Sequence, residues 1–185
     1  MGKNYFLFLV LFILIAGCAN KINNIQNLNP QENEVSNMKI TSPAFSHNES
    51  IPSEFTCDGA NKPIPLSISG VPKNAKELAL IVDDPDAVRG TFTHWVMWNI
   101  SPNTTQITDG KSQGAKLGNN GAGRPGYIGP CPPSGTHRYF FKLYALDVNL
   151  NLPDSASKED LEKAIQNHIM EKAELIGLYR RKINQ

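Results

Sequence analysis

The chain has 185 residues, with 18 Lys or Arg against 17 Asp or Glu, so its formal net charge is +1 at pH 7. That balance, with no basic stripe and no run of lysines beside an apolar segment, speaks against a nucleic-acid partner and against a polybasic membrane patch. The length suits one ordinary domain with a sizeable core.

At the N-terminus a short start carrying Lys3 leads into the apolar run Phe6 to Ala16, then Gly17 and Cys18. A stretch of roughly 7 to 15 apolar residues ending in small ones is too short to span a bilayer and has the form of a cleavable signal peptide, residues 1–17. Leu14, Ile15, Ala16, Gly17 and Cys18 also resemble the lipobox of bacterial lipoproteins, in which the cysteine is acylated and becomes the new N-terminus. The alternative is an ordinary secretory peptide with Cys18 left as a thiol. Two or three acyl chains would anchor the protein permanently, since each buried methylene adds about 0.8 kcal/mol. The leader takes Lys3 with it, which leaves the mature chain electrically balanced. Residues 18–37, rich in Asn and Gln and without periodicity, read as a flexible tether. The expected address is a bacterial cell envelope, lipid-anchored. Ala19 stands where an Asp often retains lipoproteins at the inner membrane, which points to the outer membrane in a cell that has one.

From residue 38 the chain reads as strands punctuated by Pro and Gly. Leu78 to Val82 is a compact apolar run, and Thr93 to Ile100 places bulk on both faces, as a strand buried within a sheet does. Arg138 to Leu146 puts Tyr139, Phe141, Leu143 and Ala145 on one face and Phe140, Tyr144 and Leu146 on the other. Between these, Asn103 to Gly135 is too long for a simple hairpin loop and is a candidate functional segment. Ser157 with Asp160 forms a capping-box pattern ahead of Leu161, Ala164, Ile165, His168 and Ile169 at helical spacing. On that stripe His168 is expected to be a core histidine. Leu175 to Tyr179 reads as a last strand, giving a mainly β domain over residues 38–185 with a peripheral helix.

Two stretches carry possible chemistry. Asp83-Asp84-Pro85-Asp86-Ala87 follows an apolar strand and, taken alone, reads as a turn, because Asp and Pro both favour one. Gly129 to Tyr139, GPCPPSGTHRY, is a Pro/Gly-rich loop that delivers His, Arg and Tyr at the entry to a core strand. DPDA at Asp84 to Ala87, HWVMWNI at His94 to Ile100, GPCPPSGTHRY, and KAELIGLYRR at Lys172 to Arg181 come in one order. Together they resemble the phosphatidylethanolamine-binding proteins, in their bacterial Raf-kinase-inhibitor-like branch, from Met38 to about Arg180. The resemblance implies a large antiparallel β-sandwich with a few peripheral helices and a small anion pocket. Its residues would be Asp84, His94, His137 and Tyr139, with Gly129 and Pro130 at the rim. The chain departs from the family at Val88, where proline is usual, and only approximately matches its early Pro-containing stretch at Asn61 to Leu66.

Two imidazoles and a Tyr hydroxyl suit a phosphoryl or carboxylate group, with a Gly-rich loop adding backbone N–H donors. Asp84 could orient an imidazole or meet the ammonium of a zwitterionic head group. Arg138 alternates away from His137 and Tyr139 and is expected to pair with Asp86. With Cys18 acylated, Cys57 and Cys131 remain in an oxidising compartment, where a disulfide between them is expected; two buried free thiols are the alternative. No cofactor is called for, no spacing matches a metal motif, and no nucleophile elbow or H-E-x-x-H helix is present. The reading is a noncatalytic binding or regulatory protein with a small anionic or zwitterionic ligand. Two alternatives stand beside it: a protein-interaction module, such as a protease inhibitor or host-facing modulator, and a weak hydrolase using the His/Asp pocket. Kinase inhibition would need a cytosolic partner, and export argues against that.

Overall fold

The computed structural model describes residues 1–2, 37–110 and 112–181, so the leader, the lipidation site Cys18 and the tether short of Asn37 lie outside the described residues. Among those residues no helix is long and apolar enough to cross a membrane. The described residues form nine strands and one α-helix in chain order. They are β1 (Lys39–Thr41), β2 (Glu49–Ser50), β3 (Leu66–Ser69), β4 (Glu77–Asp84), β5 (Phe92–Ile100), β6 (Gln106–Ile107), β7 (Lys116–Leu117), β8 (His137–Leu146), α1 (Lys158–Ile165) and β9 (Ile169–Tyr179). A three-stranded sheet has the order β1-β3-β6, and a six-stranded sheet the order β2-β9-β8-β4-β5-β7. All pairings are antiparallel except the short parallel contact of β2 with β9, where Glu49 lies opposite Gly177.

The large sheet is buried on both faces, which is why its central strands read as continuous apolar runs. Side chains alternate along a strand, so one set of β4, β5 and β8 residues faces the three-stranded sheet. That set is Leu78, Leu80, Val82, Trp95, Met97, Tyr139, Phe141 and Leu143. The other set, Ala79, Ile81, Val96, Trp98, Tyr144 and Leu146, meets Leu161 and Ile165 of α1. Burying each large side chain is worth about 1.5–3 kcal/mol, so this double packing supplies most of the driving force. Asp83 fastens the helix layer: its buried carboxylate accepts from Lys142 Nζ at 2.9 Å and lies 3.1 Å from Lys158 Nζ.

The capping box forms as the sequence indicates, with Ser157 Oγ accepting from Asp160 N–H and the Asp160 carboxylate accepting from Ser157 N–H. The helix is shorter than its apolar spacing suggests. It ends at Ile165, His168 N–H donates to Ile165 O at 2.9 Å, and Ile169 is already paired with Leu146 in the sheet. His168 is therefore not a core histidine: it is partly exposed and its Nδ1 lies 2.8 Å from Asp147 Oδ1. The helical period ran on by coincidence into residues that the ten-residue pairing of β8 with β9 claims for a strand. The expected last strand, Leu175 to Tyr179, is the second half of that eleven-residue β9.

The long Asn103 to Gly135 stretch contributes β6 to the small sheet and β7 to the large one, then runs along the outer edge of β5. Gly118 N–H donates to Val96 O, Gly121 N–H to Thr93 O and Ile128 N–H to His94 O, at 2.8–2.9 Å. Those bonds cover an edge that would otherwise stay open to pairing with another chain.

Candidate functional site

The C-terminal end of β4 and the N-terminal ends of β5 and β8 meet at one end of the large sheet, and a cavity of about 330 Å³ opens there. Asp84, His94 and His137 line it with Phe92, Ile128, Gly129, Ala87 and Pro132, and the exposed Val88, Arg89, Cys131 and Pro133 mark its mouth. The volume lies at the small end of the range for ligand sites and fits a head group rather than a large cofactor.

A β-bulge puts His94 there. Val82 pairs with Trp95, but the next residue, Asp83, pairs with Thr93, so His94 is an extra residue with no partner across the strand. Without that insertion His94 would share the helix-side face with Val96 and Trp98. The bulge re-aims it so that its ring meets Tyr139 edge-on, with centroids 5.1 Å apart, and Phe92 at 4.9 Å. His94 Nδ1 is 2.7 Å from the Ile128 carbonyl, which only accepts, so that nitrogen carries the proton and Nε2 is left for the cavity. Burial pushes the His94 imidazole below its ordinary pKa, partly countered by the Ile128 bond and the Asp84 charge, so the ring is held neutral.

The DPDA turn splits its two carboxylates. Asp84 turns inward: Oδ1 accepts from Asp86 N–H at 2.9 Å, and Oδ2 lies 2.8 Å from His137 Nδ1, a contact that becomes an ion pair when His137 carries its second proton. Asp86 turns outward and accepts from Arg138 three times, from the backbone N–H at 2.9 Å, Nε at 3.0 Å and the terminal guanidinium nitrogen at 2.8 Å. The Arg138 side-chain bond holds the Asp86 carboxyl down at about 2. Turn and site are thus the same residues, and Arg138 is spent on the turn.

Tyr139 lies beneath the cavity rather than on its wall. It is 1 % exposed, and its hydroxyl meets no partner at hydrogen-bond geometry. Burial first, then the nearby Asp84 charge and a hydrogen-bonding interaction with the Asp84 carboxylate, push the phenol well above its ordinary pKa and keep it protonated.

The rim is fixed from behind. Cys57 and Cys131 are joined with their Cα atoms 5.4 Å apart, and Cys57 N–H donates to Pro130 O at 3.1 Å. Pro130 is therefore buried behind the rim and is not a lining residue. Gly129 does line the cavity, but its N–H is taken by Asn61 Oδ1 at 2.8 Å, so it offers no donor to a ligand, contrary to the expectation for a Gly-rich loop. Only glycine fits at that position, because an added Cβ would fall 2.5 Å from the Phe55 carbonyl oxygen. Asp58, next to Cys57, accepts from Tyr179 Oη at 2.7 Å and Arg181 Nε at 2.9 Å, tying the rim to the end of β9.

Sequence reasoning missed Arg89, Phe92 and Ile128 on the lining and Asn61 behind it. Arg89 was visible five residues after Asp84, inside the turn that departs from the family pattern. Asn61 carried no readable signal, since its partner lies 68 residues away. Among the described residues no group of three or more His, Cys, Asp or Glu is placed to hold a metal ion.

A two-sheet β domain with a small histidine-floored cavity at a sheet end is the make-up of a binding-type protein. Residues 41–180 match the family described as phosphatidylethanolamine-binding protein. A UPF0098 protein of Methanothermobacter thermautotrophicus is 51 % identical over 150 residues, covering 78 % of this chain and 99 % of the relative. A UPF0098 protein of Chlamydia muridarum is 45 % identical over 147 residues, 77 % of this chain and 98 % of the relative. Among solved structures, a phosphatidylethanolamine-binding protein homolog from Chlamydia trachomatis superposes with a TM-score of 0.77 at 42 % identity, over 80 % of this chain and 99 % of that one. E. coli YbcL, described as a member of the mammalian PEBP family, gives 0.73 at 30 % identity, over 78 % and 99 %. This chain belongs to the phosphatidylethanolamine-binding protein family.

Proposed function

We propose that this protein is a noncatalytic binding protein for a small phosphoryl or carboxylate group, free or on a zwitterionic head group, held at a bacterial cell envelope by acylated Cys18. The observation that supports the ligand class is the pair of buried imidazoles with their Nδ1 atoms already committed, to Ile128 O and to Asp84, which leaves each Nε2 for the cavity. The Tyr139 O–H lies below them, under the influence of Asp84. A neutral Nε2 offers a lone pair. An anion must therefore bring a proton of its own, as a phosphate monoanion does, or bind together with a proton that turns the ring into a donor.

The make-up of the lining speaks against covalent catalysis. Asp84 and His137 form a dyad, but the cavity lining contains no Ser, Thr or Lys, and its one cysteine is tied in the disulfide, so the lining offers no hydroxyl, free thiol or amine nucleophile beside the dyad.

The testing experiment is a titration of the protein with inorganic phosphate, phosphoethanolamine and acetate, following the His94 and His137 ring signals by NMR with His137→Ala as control. Saturable shifts at both rings, lost in the variant, are expected. No shift up to millimolar ligand, which corresponds to roughly 4 kcal/mol of binding, would sink the small-anion reading and favour a protein partner on the outer surface.

A further inference from the structure

The turn that carries Asp84 and Asp86 continues into a second, tighter one, in which Gly90 N–H donates to Ala87 O at 3.1 Å and Gly90 takes φ +95°. Only a residue without a side chain holds that φ easily, and the turn brings the preceding residue, Arg89, to the cavity mouth. Arg89 is exposed and makes no hydrogen bond or ion pair with any described residue. Arg138, another guanidinium near this end of the sheet, is engaged three times by Asp86, and Arg181 donates to Asp58. Arg89 and Arg138 thus have opposite fates, one unspent on the cavity lining and one spent on the fold.

The charges that face the cavity make that difference matter. Asp84 is a carboxylate at the floor and would repel an entering anion unless His137 beside it carries a proton. His94 is held neutral by burial. Asp86 and Arg138 cancel each other outside the lining, and Asp83 points to the opposite face of the sheet, where Lys142 and Lys158 neutralise it. Arg89 is therefore the one permanently cationic group among the lining residues. A planar guanidinium also matches the oxygens of a phosphoryl group better than a point charge does.

We propose that Arg89 sets the charge selectivity of the pocket: it engages the outer oxygens of a dianionic phosphoryl group and disfavours ligands that carry an ammonium close to that phosphate. This rests on the small-anion reading of the pocket and narrows it to phosphate and phosphomonoesters of uncharged alcohols over zwitterionic head groups.

The test titrates the full-length protein in detergent at pH 8 with inorganic phosphate and, separately, phosphoethanolamine, comparing wild type with R89Q and R89K at low and physiological salt. Wild type binds phosphate more tightly. R89Q loses about tenfold for phosphate but no more than about threefold for phosphoethanolamine, R89K recovers part of the loss, and the salt dependence of phosphate binding flattens in R89Q. Unchanged thermal unfolding in R89Q shows that the exposed side chain acts on the ligand rather than on the fold. Equal losses for the two ligands, or none, overturn the role of Arg89 while leaving the anion pocket standing. A wild type that binds neither ligand overturns both.

Discussion

The strand β4 begins and ends on a buried carboxylate, and the two are spent differently. Glu77, 2 % exposed, accepts from Asn99 N–H at 2.6 Å through one oxygen and from Leu150 N–H at 2.7 Å through the other. Both partners are backbone amides that cannot titrate, and the circuit is closed. Asp84, 4 % exposed, reaches one backbone amide and one imidazole whose second nitrogen is still available. Burial of a carboxylate is costly at either end, and burial does raise the Glu77 pKa, but only at Asp84 does the compensation leave capacity to spare. Unspent hydrogen-bonding capacity beside a cavity, rather than burial of charge, separates a candidate site from a structural clamp.

The rim should give the largest effect, because the open circuit depends on it and the closed one does not. The Cys57–Cys131 link spans a sequence separation of 74 residues, and chain-entropy arguments put the stabilisation from closing such a loop at about 4 kcal/mol. Denaturant unfolding of a Cys57→Ser/Cys131→Ser double variant is expected to lose 2–4 kcal/mol and to weaken phosphate binding in the molecules that stay folded. Two free thiols in natively exported protein would remove the premise.

Glu77→Ala comes next. It strands two buried amide donors, each costing about 1–3 kcal/mol, so a loss of about 3 kcal/mol is expected by chemical denaturation, with phosphate affinity of the folded protein unchanged. Asp84→Asn should do the reverse. Its amide oxygen can still accept one bond, so stability falls by about 1 kcal/mol, while phosphate affinity drops at least tenfold because the amide holds the His137 ring less firmly with Nδ1 turned away from the ligand. If both variants lose stability and neither loses binding, the contrast between the two ends of β4 collapses.

The sheet that carries this contrast could be read from the chain, and what could not be read has a physical cause. The apolar runs of β4, β5 and β8 announced a doubly covered sheet, and strand alternation separated Arg138 from His137 and Tyr139. Resemblance supplied the grouping of Asp84, His94, His137 and Tyr139, which no spacing rule would have produced, because alternation alone puts His94 on the wrong face. The bulge that corrects it shows only in the register. Glu77 was silent for a similar reason: its partners lie 22 and 73 residues away and are backbone amides, which leave no trace in side-chain identity. His168 misled because a helical period does not reveal where a strand pairing outcompetes the helix.

The smallest effect isolates the titratable half of the open circuit. Because burial lowers the His94 pKa, the unfolded chain takes up a proton near the ordinary imidazole value of about 6.5 while the folded protein does not. The sign follows from linkage: His94 contributes no penalty above about pH 6.5, and stability falls as pH drops from there toward the lowered folded value. One proton changes stability by at most about 1.4 kcal/mol per pH unit, so the loss between pH 6.5 and 5.5 should be about 1 kcal/mol or less. On the proposed small-anion reading, a bound oxyanion would reward the proton that burial refuses, turning His94 Nε2 into a donor. Sulfate, which does not titrate in this range, should therefore raise the melting temperature more at pH 5.5 than at pH 7.5. His94→Asn keeps an N–H for the Ile128 carbonyl but loses the titrating ring, and should flatten that widening. A sulfate effect that is the same at both pH values, or equally pH-dependent in His94→Asn, would mean that anion binding and His94 protonation are not coupled. The floor of the pocket would then be as closed a circuit as Glu77.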